Sequence, residues 1–171
     1  MSSFNRRQFV VTATAFGLGA VLGLAGCGFT PAYGPGGGAN VLQNTILAAE
    51  PRDKYAFDLV ERLEERLGRT QAARYALSYA ISVSSVGVAY NPENAITRIN
   101  LNGAVNWQLT DVASGAQVSA GRADGFTGYS ATGSTVAIQA ADVDAKRRLM
   151  RILADQIVTQ LLVGSGQWAG K

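Results

Sequence analysis

At Tyr75 the chain gives up a helical repeat for a two-residue one, and that switch restricts the possible folds more than any other feature. Tyr75, Leu77, Tyr79, Ile81 and Val83 alternate with Ala76, Ser78, Ala80 and Ser82, which is the pattern of a strand with one large apolar face. Asn91-Pro92-Glu93-Asn94 then breaks the run with turn formers. Ile99, Leu101, Val105, Trp107 and Leu109 resume it, opposite Arg98, Asn100, Asn102, Asn106 and Gln108. Asp111 to Gly115 reads as a second turn, and Gln117 to Tyr129 as a weaker, glycine-rich strand. Alternation on one side only predicts an antiparallel sheet with one buried face and one wet face.

The flanking segments keep helical spacing. Phe57, Val60, Leu63 and Leu67 form a stripe over Asp53–Leu67, with Leu59 beside it. Asp53 is placed to cap this helix, Pro51 stands just before it, and Gly68 can take the left-handed position that ends it. Asp58 and Arg62 are spaced to pair on its outer face. A second helix is expected from Ala141 to Val163, with Leu149, Ile152, Leu153, Ile157 and Leu161 as its stripe and Gly164 as its end. At ~34 Å it is long enough to cross a four-stranded sheet. Asp142 and Asp144 would then lie in its first turn, where carboxylates suit the helix dipole. With Val41 to Ala48 as a first strand, the order is β-α-β-β-β-α. This is an α+β fold, a four-stranded, mostly antiparallel sheet with two helices packed on one face.

The only cysteine, Cys27, closes the sequence Leu24-Ala25-Gly26-Cys27 after an apolar run from Phe9 to Leu24 that follows Arg6-Arg7. That is a lipobox: the thiol accepts a diacylglycerol, and the small Ala25 and Gly26 admit the chain to the signal peptidase. The run is 16 residues, short of the ~20 apolar residues a spanning helix needs, and its basic, apolar and small-residue zones match a cleaved signal peptide. Asn5-Arg6-Arg7-Gln8-Phe9-Val10 also fits a twin-arginine signal, so the residues are compatible with either export route. Residues 1–26 are thus a signal peptide. Residues 27–40 are a lipidated cysteine and a Gly/Pro-rich tether, and residues 41–171 form one α/β domain. Gly28 rather than an aspartate follows the cysteine, which favours the outer membrane. Diacylglycerol and an N-acyl chain on Cys27 make an effectively permanent anchor, and no disulfide remains for the domain. Phe29 and Tyr33 are out of place in a purely solvated tether and point to a docking role.

Cleavage removes Arg6 and Arg7 but no acidic residue, leaving 13 basic against 12 acidic side chains, a net charge of +1. That balance excludes a general nucleic-acid surface. There is no histidine, so the commonest general base, the Ser-His-Asp and Cys-His arrangements and His-metal sites are all missing. Glu61, Glu64 and Glu65 read as a solvated helix face. Asp142 and Asp144 lack the further ligands a metal site needs. Gly34-Pro35-Gly36-Gly37-Gly38 lacks the lysine of a phosphate loop. An enzyme is not expected, nor a metal or other cofactor beyond the acyl chains. Binding features are Lys146, Arg147, Arg148 and Arg151 on the last helix, isolated Arg98 and Arg122 on the sheet, and the wet sheet face itself. The helix cluster reads first as a solvated face, because Asp144 stands four residues before Arg148.

Gly26-Cys27-Gly28-Phe29-Thr30-Pro31-Ala32-Tyr33-Gly34, followed by Tyr55-Ala56-Phe57-Asp58-Leu59 and Leu63-Glu64-Glu65-Arg66-Leu67-Gly68, resembles the LPS-assembly lipoproteins of the LptE family in their alphaproteobacterial form. The likeness spans nearly all of the mature chain, with the Cys27–Gly34 block its specific part. It implies a non-catalytic lipoprotein that plugs the LptD β-barrel of the outer membrane, helps it assemble and takes lipopolysaccharide as a candidate ligand. Phe29, Pro31 and Tyr33 would then dock near the barrel wall, and Arg98 and Arg122 are candidates for lipid A phosphates. The alternative is an auxiliary lipoprotein of an ABC or MCE lipid-trafficking system, which also pairs a lipid anchor with a small α/β domain.

Overall fold

In the computed structural model, which describes residues 42–70 and 72–168, six elements follow one another as expected. They are β1 (Ile46–Ala48), α1 (Lys54–Leu67), β2 (Tyr75–Tyr90), β3 (Ile96–Asp111), β4 (Gln117–Ser130) and α2 (Thr135–Trp168). The sheet order is β1-β2-β3-β4. β1 runs parallel to β2, and the other two pairings are antiparallel. The signal peptide, lipobox and tether lie outside the described residues.

Local chemistry starts and stops these elements. The Asp53 carboxylate accepts from the Ala56 N–H at 2.8 Å and caps α1. Gly68 ends the helix at φ +81° with its N–H on the Glu64 carbonyl, and a Cβ there would fall on the Asn44 side chain. The β2–β3 turn closes on Asn91, whose Oδ1 accepts from the Ala95 N–H at 2.8 Å, with Asn94 at φ +60°. In the β3–β4 turn the Asp111 carboxylate accepts from both the N–H and the hydroxyl of Ser114. The backbone bond is the main reason that carboxyl lies below its ordinary range.

Both helices lie on the face made by Tyr75, Leu77, Val105, Trp107 and Leu109. Leu59 and Leu63 of α1 and Leu149, Leu153, Ile157 and Leu161 of α2 complete the core. Each such leucine or isoleucine contributes roughly 1.5–3 kcal/mol by leaving water. α2 sits close over the middle of the sheet because Gly103 and Gly125 stand beneath it. A Cβ at Gly103 would lie 2.9 Å from Leu149 Cδ2. The ion pairs Arg147–Glu61, Arg151–Glu65 and Arg66–Asp155 advance together along both helices, so α1 and α2 run parallel.

Several expectations need correction. β1 is three residues, not eight, because Asn44 adopts φ +58° and residues 43–45 form a turn. α2 starts six residues earlier, where the Ser134 hydroxyl accepts from the Ala137 N–H. It also continues through Gly164 to Trp168, whose ring meets Tyr75 edge-on at 5.1 Å and anchors the last turn. Asp142 and Asp144 are therefore mid-helix, not in the first turn. Phe57 is 52% exposed beneath the Lys54 ammonium, and Leu59 takes its core place. Ile152 is likewise exposed. Asp58 pairs with Lys54, not Arg62, and is only 3% exposed. Arg62 turns instead to Glu65 and Asp155.

Candidate partner-facing surface

The sheet face opposite the helices is open. On β2 it carries Ala76, Ser78, Ala80, Ser82 and Ser84, and the register sets these beside Thr110, Gln108, Asn106, Ala104 and Asn102 of β3. β4 adds Ala120, Arg122, Asp124 and Phe126. Short hydroxyls and amides dominate, so the surface offers hydrogen bonds with little net charge.

The two candidate arginines both lie on this face but are not brought together. Arg98 pairs in register with Ser130, and Arg122 with Asn106. The eight residue steps from Arg122 to Ser130 along β4 separate them by roughly 26 Å. Their surroundings also differ. Arg122 is bound by Asp124 at 2.9 Å, and that bond holds its guanidinium above its ordinary pKa. Among the described residues Arg98 has no acidic partner.

The basic cluster of α2 is neutralised side chain by side chain. Lys146 pairs with Asp142 at 2.6 Å, Arg147 with Glu61 at 3.3 Å, Arg148 with Asp144 at 2.9 Å and Arg151 with Glu65 at 3.5 Å. Arg148–Asp144 is the pair that its spacing predicts. The solvated-face reading therefore holds for this cluster. At the start of the helix interface, burial first and Asp142 second push the Tyr129 hydroxyl above its ordinary pKa. The hydrogen bond to Asp142 raises Lys146 as well.

The two long edges of the sheet are treated differently, and the sequence carries little sign of it. Along β4 the side chains of α2 occupy the backbone. Gln156 accepts from the Asp124 N–H, Gln160 donates to the Arg122 carbonyl at 2.9 Å, and Arg148 reaches the Gly128 carbonyl. Gln160 also accepts from the buried Trp107 indole at 2.9 Å. β2 is covered by β1 only along Tyr75–Leu77. From Val86 to Ile96 the β2–β3 hairpin exposes Val86, Val88, Tyr90 and Ile96.

Cys27, Leu24, Ala25, Gly26, Phe29, Pro31 and Tyr33 lie outside the described residues. Among the described residues no group of three or more acidic side chains is placed to hold a metal, and no helix is long and apolar enough to cross a membrane.

The LptE family model, described as lipopolysaccharide-assembly, matches residues 43–161, which takes in all six elements but the end of α2. The chain belongs to the LptE family. Solved structures agree with the LptE-type fold. A candidate lipoprotein of Caulobacter crescentus is 26% identical over 77% of this chain and 99% of its own, at a TM-score of 0.64. The rare lipoprotein B of Shewanella oneidensis is 13% identical over 71% of this chain and 94% of its own, at 0.54. A minor lipoprotein of Acinetobacter baumannii is 16% identical over 72% and 92%, at 0.53. These last two show the fold alone. A comparison with curated proteins gives no match. Family membership favours the lipopolysaccharide-assembly reading of this LptE-family chain over the lipid-trafficking alternative.

Proposed function

We propose that this LptE-family lipoprotein is anchored in the outer membrane by the acyl chains on Cys27 and sits, without catalysing a reaction, as a plug in an LptD-type β-barrel that delivers lipopolysaccharide. The observation that carries the reading is the open sheet face. A surface mostly of Ser, Ala, Asn and Gln, with Phe126 and Arg98 among its exceptions, offers many hydrogen bonds to a water-lined barrel wall. Phe29, Pro31 and Tyr33, next to the lipid, would meet the barrel near the membrane. Arg98, which has no carboxylate partner among the described residues, is the better placed of the two arginines for a lipid A phosphate. Arg122 would have to give up Asp124 first.

A photo-crosslinking amino acid at Asn102 on the open face, and another at Thr159 on the exposed side of α2, tests the orientation in cells. Capture of one large barrel from Asn102 supports the reading. Capture from Thr159 alone would reverse the assigned face, and capture of inner-membrane transport components would refute the barrel partner. Acylation is read separately from the intact mass, which must be that of residues 27–171 plus diacylglycerol and an N-acyl chain.

A further inference from the structure

Beside β1 the domain keeps an apolar groove of about 280 Å³. The core side chains Ile46, Leu63, Leu67 and Leu77 line it, and the Glu64–Arg69 ion pair stands at its wet rim. One wall is the free edge of the sheet. The Thr70 hydroxyl donates to the Ile46 carbonyl at 2.6 Å, so that carbonyl faces away from β2. Backbone direction alternates along a strand. The N–H and C=O of Ala48 therefore face the same side, where no described residue bonds to them. Core side chains beside unpaired strand groups are what a sheet edge offers to an extended peptide. The chain that precedes the described residues enters the domain at this groove. Leu42 opens a turn in which the Asn44 N–H donates to the Leu67 carbonyl at 2.8 Å, and a Cβ on Gly68 would fall on the Asn44 side chain. Leu67 and Gly68 both line the groove, so Leu42 stands two positions from a residue bonded to its wall.

We propose that the groove is a docking site for the chain's own tether and that its occupant is Tyr33, held there before the lipoprotein meets a barrel. Counting back from Leu42, Tyr33 is the first aromatic side chain, and Gly34-Pro35-Gly36-Gly37-Gly38 lies between. Nine residue steps separate the two, at most ~32 Å and, for a glycine-rich chain, ~17 Å on average. The ring therefore needs no long excursion to reach the groove, and the short link keeps its local concentration high. A tyrosine suits both parts of the site. Its ring would cover the ends of Leu63 and Leu67, and its hydroxyl would meet the Glu64–Arg69 pair at the rim. The backbone beside it would pair with Ala48. Phe29 lacks the hydroxyl and stands four residues farther away, and Pro31 has no N–H to give. With Tyr33 docked, the free tether shrinks from the fifteen steps between Cys27 and Leu42, about 50 Å at full stretch, to the six between Cys27 and Tyr33, about 20 Å. That consequence rests on the acylated Cys27 proposed above. The groove contact itself does not, and in the barrel complex Tyr33 would leave the groove for the barrel wall.

The test uses the full lipidated protein, purified without a barrel in detergent micelles, with Tyr33 kept and a thiol placed beside it. Ala32→Cys is combined either with Leu47→Cys at the groove or with Val112→Cys, which is as exposed and lies at the same end of the sheet. Peptide mass mapping separates the introduced disulfide from any bond to Cys27, so a failure of acylation is read apart from a failure of docking. The pair at the groove is expected to oxidise at least about tenfold faster than the pair at Val112, the least that burying one aromatic ring should give. Tyr33→Ala, added to both, should remove the difference, and Phe29→Ala should leave it. Leu47 and Val112 are exposed, and unchanged circular dichroism would show that the fold is kept. Equal rates in the two pairs overturn the proposal, as does a preference that survives Tyr33→Ala. So does a Leu47→Cys variant that joins mainly to a second copy, or that captures another protein in envelopes depleted of the barrel.

Discussion

Gln160 joins the core to the protected edge, and removing it should give a result that hydrophobicity alone would get backwards. Its Oε1 accepts from Trp107 Nε1 at 2.9 Å, and its Nε2 donates to the Arg122 carbonyl at 2.9 Å. Trp107 is 4% exposed, whereas Gln160 itself lies at the surface as a roof over the indole. Gln160→Ala opens that roof, water can reach the indole N–H, and the loss is the net value of one hydrogen bond, ~0.5–1.5 kcal/mol. Gln160→Leu keeps the roof but makes it apolar, so the N–H is stranded at ~1–3 kcal/mol. Helix propensity does not produce this order, since alanine and leucine are both at least as good as glutamine. The Arg122 carbonyl, at the exposed edge, finds water in either case. For a domain of this size, ~2 kcal/mol corresponds to a drop in Tm of roughly 6–10 °C. Urea unfolding followed by circular dichroism should show a lower midpoint with an unchanged slope, in the order wild type, Ala, Leu. Replacing Trp107 by Phe in the Leu background should recover ~1 kcal/mol relative to the sum of the single changes. A leucine variant as stable as the alanine variant, or the absence of that coupling, would refute the argument.

Gly103→Ala should cost more than Gly125→Ala. Its new methyl would lie 2.9 Å from Leu149 and 3.1 Å from Leu153, against 3.2 Å from Ile152 at Gly125. An overpacking penalty of ~1–3 kcal/mol at Gly103, seen as the lower urea midpoint of the two, is the expected outcome. Stability should also fall in alkali. Burial raises Tyr79 and Tyr129, and the bond to Asp142 raises Lys146. Groups raised on folding contribute stability that is complete below about pH 10 and is lost as pH climbs through the raised values. The urea midpoint should drop above pH 10, less steeply in Tyr129→Phe, and a flat midpoint would contradict the assignment. Arg98→Glu should weaken retention of lipopolysaccharide by about 10–100-fold, the worth of a charge-assisted bond. Arg122→Glu should weaken it far less, and equal retention by the Arg98 variant would remove that residue from the proposal. Alanine at both Phe29 and Tyr33 should lower co-purification with the barrel, and unchanged recovery would exclude their docking role.

What the sequence determined by itself is what local spacing encodes. The two-residue period from Tyr75 to Leu109 placed the strands and assigned the large side chains to one face, because neighbouring Cβ atoms of a strand must alternate. Asp53, Gly68 and the Asn91–Asn94 turn act within a few residues, and they are found where the chain says. The lipobox and the family likeness are also purely sequential. The tertiary structure decided whatever depends on residues far apart in the chain. Asp58 and Arg62 are four apart and could have paired, yet Asp155, 93 residues beyond Arg62, takes the guanidinium once α2 is docked. Phe57 and Leu59 compete for the same stripe, and only the position of α2 selects Leu59. The solvated-face reading of the cationic run on α2 rests in the sequence on Asp144 alone, and only docking of the helices brings Glu61 and Glu65 to Arg147 and Arg151. No pattern within β2 or β4 tells which is an edge or which edge is open. That follows from β1 stopping at Ala48 while α2 carries Gln156 and Gln160 across β4, and a chain's own periodicity holds no record of what lies beside it.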